Sequence, residues 1–94
     1  MIVNAHTMFV KNERLWVSNI MRIILAQRLR DCRAKFNYTQ IRAATYSDIT
    51  ERAYANYELA KQMPKLDILI RIADVYKVSL DYLVGRTDNP SVNE

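Results

Sequence analysis

Residues 45–58 read TYSDITERAYANYE, and the way this stretch folds decides how the whole chain folds. Ser47 and Asp48 make a tight corner, and Asp is among the non-glycine residues that best tolerate the left-handed conformation a corner demands. Thr50 then caps a helix, because its hydroxyl can accept a hydrogen bond from one of the free amides of the first turn. The helix runs from Glu51 to about Leu59 and opens with opposed charges, Glu51 and Arg52. Tyr54 and Tyr57, three residues apart, share the face that packs. Thr50, Glu51, Arg52 and Ala53 form the first turn at its other side.

Working outward, Thr39 caps a preceding helix over Gln40 to about Tyr46, so only three or so residues separate two short helices. Before them, Leu25, Leu29 and Cys32 fall at i, i+4 and i+7, the spacing of one helical face. Asn37 follows as a residue suited to close that helix. After Pro64, Leu66, Leu69, Ile70, Ala73 and Tyr76 predict an apolar stripe on a helix of about ten residues. Ser79 caps a last short helix, LDYLV, which Gly85 stops. The spacing thus predicts five helices, the middle two too short to stand without packing on the first and fourth. Two helices joined by so short a turn make a helix-turn-helix unit in a small bundle.

The domain is expected over residues 21–86, with an N-terminal arm at 1–20 and a flexible C-terminal tail at 87–94. The 94 residues suffice for one domain with a modest core. A single Gly and two Pro leave little turn chemistry for hairpins. The class is therefore all-α.

The formal net charge is +4, and it is unevenly spread. From Met21 to Lys65 nine Lys and Arg stand against four Asp and Glu, a net of +5; from Leu66 onward three stand against five, a net of −2. A basic first two-thirds points to a polyanion such as nucleic acid, with a solvated basic face as the alternative. Cys32 is the sole cysteine, which excludes an internal disulfide and fits a reducing compartment, the cytoplasm. No apolar run approaches the roughly 18 residues of a membrane span, and the start lacks the pattern of a secretory signal. His6 is the only histidine and lies far from Cys32, so no metal cluster is expected. No phosphate-binding glycine loop, activated nucleophile or carboxylate pair is present, so neither a cofactor nor an enzyme activity is expected.

The blocks RLRDCRAKFNYTQ, ITERAYANYE and IRIADVYKVSLDYLVGRTDNP, in this order, resemble the phage-repressor and Cro-like helix-turn-helix family, also called the xenobiotic-response-element family of bacterial regulators. The resemblance covers about Leu25 to Pro90 without a gap. It implies a lambda-repressor-like five-helix bundle that binds double-stranded DNA, usually as a homodimer, to regulate transcription. It also implies that Gln40 to Tyr46 lies across the DNA backbone while Glu51 to Leu59 enters the major groove.

On that reading Arg52 is the first candidate for a base reader, since its fork can donate twice to guanine O6 and N7, a pairing worth roughly 1–3 kcal/mol of discrimination. Its alternative is a solvated surface arginine. Glu51 either accepts from a cytosine amine or stabilises the helix start through the macrodipole. Ala53 either touches a thymine methyl or is small to permit close approach. Asn56, one turn beyond Arg52, faces adenine or a phosphate, and Gln40 sits where helix amides bind a phosphate oxygen. Lys61, Arg42 and Lys65 are candidates for phosphate contacts that position without reading sequence.

The chain departs from the family pattern at the corner and at helix ends. The family commonly has glycine where Asn37, Asp48 and Ala60 stand, an apolar residue in place of Ser47 and serine in place of Lys65. A left-handed Asp48 costs about 1–2 kcal/mol, and an interior Ser47 forgoes about 1.5–3 kcal/mol of apolar burial. Ala60 is expected to let the second short helix run a residue or two longer. Lys65 is expected to weaken the cap of the fourth helix. A dimer would use exposed parts of LDYLVGR or the arm with its Trp16. The competing class is a protein-interaction module, such as an antitoxin or adaptor, because one Arg against one Glu is a weakly basic first turn.

Overall fold

A computed structural model of the chain describes residues 19–92, so the expected arm lies outside the described residues apart from Asn19 and Ile20. Within them five helices follow in order: α1 Met21–Phe36, α2 Gln40–Tyr46, α3 Glu51–Glu58, α4 Leu66–Tyr76 and α5 Leu80–Leu83. No strand occurs among the described residues. The all-α, five-helix expectation is met.

Local chemistry sets where the helices begin. The hydroxyls of Thr39, Thr50 and Ser79 accept from the amides of Arg42, Ala53 and Tyr82, each at 3.0 Å. Each bond satisfies one of the amides that a helix start leaves without a partner. Lys65, by contrast, precedes α4 with no side-chain cap, and only Asp67 in the first turn favours that end electrostatically.

All five helices end in one device. At Asn37, Asp48, Ala60, Lys77 and Gly85 the backbone turns left-handed, with φ of 58°, 58°, 59°, 57° and 86°. The amide of each left-handed residue and the amide after it bond back to helix carbonyls, as in Ala60 N to Tyr57 O at 3.1 Å and Lys61 N to Asn56 O at 2.9 Å. This pair of bonds satisfies carbonyls that a helix end otherwise leaves free. Four of the five left-handed residues carry a Cβ, which that conformation disfavours. The expectation that Ala60 would prolong its helix is therefore corrected: α3 stops at Glu58 because Ala60 itself takes the left-handed turn. Gly85 has a second constraint, since a Cβ there would lie 2.7 Å from the Ile24 side chain.

The core forms where α1, α3 and α4 meet. Leu25, Leu29 and Cys32 are buried on α1 as their spacing predicts. Tyr54 and Tyr57 are buried on α3, and the Tyr54 and Tyr76 hydroxyls meet at 2.6 Å inside the core. That bond satisfies two phenols that would otherwise be costly to bury. On α4 the buried stripe is Leu69, Ile72, Ala73 and Tyr76, whereas Leu66 and Ile70 are 66% and 42% exposed. Three residues of the expected stripe, Leu69, Ala73 and Tyr76, are buried, while Ile72 takes the place of Leu66 and Ile70 and completes the i, i+3, i+4, i+7 spacing.

The described part of the tail makes contacts with the helices. Arg28 on α1 bonds Asp88 at 2.8 Å while its guanidinium lies 4.1 Å over the Tyr82 ring, and the Ser79 amide donates to Pro90 O at 3.0 Å. Residues 87–91 are therefore strapped across the start of α5.

Candidate nucleic-acid interface

The corner between α2 and α3 runs through Ser47, Asp48, Ile49 and Thr50. The Asp48 amide donates to Thr45 O and the Ile49 amide to Ala44 O, which closes α2. Ser47 is fully buried, as the family's apolar residue would be, but its hydroxyl has no hydrogen-bond partner. The carbonyls of the corner are taken from outside it. Arg71, on α4, donates from Nε to Ser47 O at 2.9 Å, and its Nη2 stands 3.5 Å from Asp48 O.

From that corner α3 presents two unlike faces. Thr50, Glu51 and Arg52 are exposed, Ala53 and Asn56 are half-buried, and Tyr54, Tyr57 and Glu58 are buried. Thr50 holds its place through the cap, and Ala53 packs partly on the core. Among the described residues Arg52 makes no ion pair, which leaves its fork available. Burial pushes the Tyr57 phenol up from its ordinary value, with the nearby Arg71 charge pulling in the opposite direction. The buried tyrosines anchor α3 while its first turn stays open.

The other end of α3 is an ionic joint that sequence reasoning missed. Glu58 is 3% exposed and accepts Arg33 Nε at 2.7 Å, Arg33 Nη2 at 3.1 Å and Gln40 Nε2 at 2.9 Å. Burial alone would raise the Glu58 carboxyl, but the bonds from Arg33 and Gln40, with the nearby Tyr54 hydroxyl and the Arg33 charge, outweigh it and hold the group below its ordinary value. Arg30 donates to the Glu58 carbonyl, so two arginines of α1 serve the C-terminal end of α3, where a cation is favoured by the helix dipole. The signal was present in the spacing: Tyr54, Tyr57 and Glu58 stand at i, i+3 and i+4, one face of a helix.

The nine cations between Met21 and Lys65 therefore divide into two groups. Arg30 and Arg33 are tied to α3, Arg22 reaches toward the Lys61 carbonyl at 3.5 Å, and Arg28 is tied to the tail. Lys35, Arg42, Arg52, Lys61 and Lys65 are exposed. Gln40 is not among the residues grouped at the first turn of α3, because its amide is docked on Glu58 at the opposite end. Arg52 and Asn56 are one turn apart on α3. Among the described residues no group of His, Cys, Asp and Glu suits a metal ion, and no helix is long and apolar enough to cross a membrane.

Comparisons with known proteins agree with this geometry. A family model described as helix-turn-helix matches residues 29–83, which contain α2, the corner and α3. The chain is 37% identical over 70 residues to the HTH-type transcriptional regulator ImmR of Bacillus subtilis, a match covering 74% of this chain and 55% of that protein. It is 34% identical over 64 residues to the SPbeta prophage-derived HTH-type transcriptional regulator YonR of the same organism, covering 68% and 59%. To the cryptic phage CTXphi transcriptional repressor RstR of Vibrio cholerae it is 34% identical over 62 residues, covering 66% and 55%. The chain thus spans somewhat over half the length of the curated relatives it matches. No solved structure matches it at a significant level. With the family model spanning more than half of its residues, the chain belongs to the helix-turn-helix family of xenobiotic-response-element type.

Proposed function

We propose that this chain binds double-stranded DNA sequence-specifically, as a dimer, and regulates transcription in the cytoplasm. One observation carries the reading. The first turn of α3 exposes Thr50, Glu51 and Arg52 while its opposite face is locked by Tyr54, Tyr57 and Glu58. A rigid helix with an open N-terminal turn suits the major groove, where Arg52 donates to guanine and Asn56 to adenine or a phosphate. Arg42, Lys61 and Lys65 supply charge toward the phosphates, and the dimer sets half-sites about 34 Å apart. The relatives' names, regulators and a repressor, support the same reading.

The competing reading, a protein-interaction module, draws on one feature. The cations tied up inside the domain leave the first turn of α3 with Arg52 against Glu51, a neutral pair. Selection from random duplex DNA at two salt concentrations separates the two. A regulator enriches a defined motif and loses affinity as salt rises; no motif and no salt dependence would remove the DNA reading.

A further inference from the structure

Neither Ser47 nor Asp48 steadies the α2–α3 corner with its own side chain. Asp48 sits at φ 58° with a Cβ, and the Ser47 hydroxyl is buried without a partner. Neither feature favours this corner over alternatives. What reaches it from elsewhere is Arg71, twenty-four residues on, whose Nε donates to Ser47 O at 2.9 Å with Nη2 near Asp48 O. Asp67, one turn earlier on α4, steadies the same guanidinium at 3.5 Å. Its charge also acts on Tyr57 of α3. One side chain of α4 thus reaches both the end of α2 and the corner that leads into α3.

We propose that Arg71 is a positioning residue for α3: by holding the Ser47 and Asp48 carbonyls it sets the angle at which the first turn of α3 leaves the corner. A planar fork can hold two carbonyls in one plane, whereas an ammonium holds one point. The role is local geometry rather than contact with DNA. Its bearing on DNA rests on the function proposed above.

Two measurements on the full chain decide it. The first needs no DNA: in Arg71→Ala, amide hydrogen exchange from Ile49 to Ala53 quickens about 10-fold while the buried amides of α1 are unchanged, the mark of a local opening. Unchanged protection at the corner, or equal acceleration throughout the chain, would show that Arg71 adds only general stability and would overturn the proposal. The second compares the selected duplex with random duplex. Arg71→Ala is expected to lose about 10-fold on the selected site and under about 2-fold on random DNA, with the salt slope kept and Arg71→Lys recovering part of the loss. Equal loss on both duplexes with a shallower salt slope makes Arg71 a phosphate contact and rejects the positioning role. If the wild-type chain selects no motif, the proposed function fails, and the exchange measurement still decides what Arg71 does to the corner.

Discussion

Arg33 holds Glu58 with two nitrogens, Nε at 2.7 Å and Nη2 at 3.1 Å, across the twenty-five residues that separate α1 from the end of α3. A fork-to-carboxylate pair of this kind fixes direction as well as distance. It ties the far end of α3 to α1, as the buried tyrosines tie its middle and Arg71 its corner. The exposed first turn is left to meet something else.

Removal of this joint is expected to be costly. Glu58→Ala strands the partly exposed Arg33 and frees Gln40, a loss of about 2–4 kcal/mol, below the range for a fully buried pair because Arg33 regains water. The pH dependence has a definite sign. Because folding lowers the Glu58 carboxyl, the stability it supplies is present above the unfolded value of about 4.3 and is lost as pH falls through the folded value. Urea titrations between pH 2.5 and pH 7 should show the wild type weakening on the acid side, with that component missing in Glu58→Gln. An identical acid profile in the two proteins would contradict it.

Ser47→Ala is expected to stabilise. It removes a buried hydroxyl that has no partner and leaves Arg71 its carbonyl, a gain of about 1 kcal/mol. Thermal melts of both proteins check this, and a lower midpoint for the variant would mean that the hydroxyl has a partner in solution.

The left-handed helix ends give a paired test. At Ala60 and Lys77 a Cβ costs about 1–2 kcal/mol, while glycine's freedom in the unfolded chain returns about 0.4–1 kcal/mol. Ala60→Gly and Lys77→Gly should each raise stability by about 0.5–1 kcal/mol. Gly85→Ala should lower it by more than that, because the new methyl meets Ile24 as well as the left-handed backbone. Denaturant midpoints for the three variants are enough to decide.

Lys61→Ala is expected to weaken binding to selected and random duplexes alike and to flatten the salt dependence by about one phosphate contact. Binding isotherms at several salt concentrations test it; an unchanged slope would place Lys61 away from the backbone of the DNA.

Much of the fold was legible because it is written in short-range chemistry. Thr39, Thr50 and Ser79 announce helix starts, and each does cap the helix that follows. Asn37 and Gly85 announce helix ends for the same local reason. Ala60 and Lys77 carry no such signal, since both take the left-handed turn against the preference of a residue with a Cβ. On α4 the spacing finds Leu69, Ala73 and Tyr76 but misplaces the edge of the buried face, because Leu66 and Ile70 keep a helical spacing of their own yet lie in solvent. Within the candidate site, the split between the two faces of α3 followed from the tyrosine spacing. The residues that hold α3 in place, Arg33 and Arg71, stand about two dozen positions from their partners. No periodicity connects such distant residues, and only the fold brings them together.

The most direct test of α3 as a DNA-reading helix is Arg52→Ala, measured on the selected duplex, on duplexes changed at one base pair at a time, and on random DNA. The expected result is a loss of about 1–3 kcal/mol on the selected duplex, with preference relaxed at a single base pair and random binding nearly unchanged. Equal loss on selected and random DNA, with every base preference intact, would contradict it.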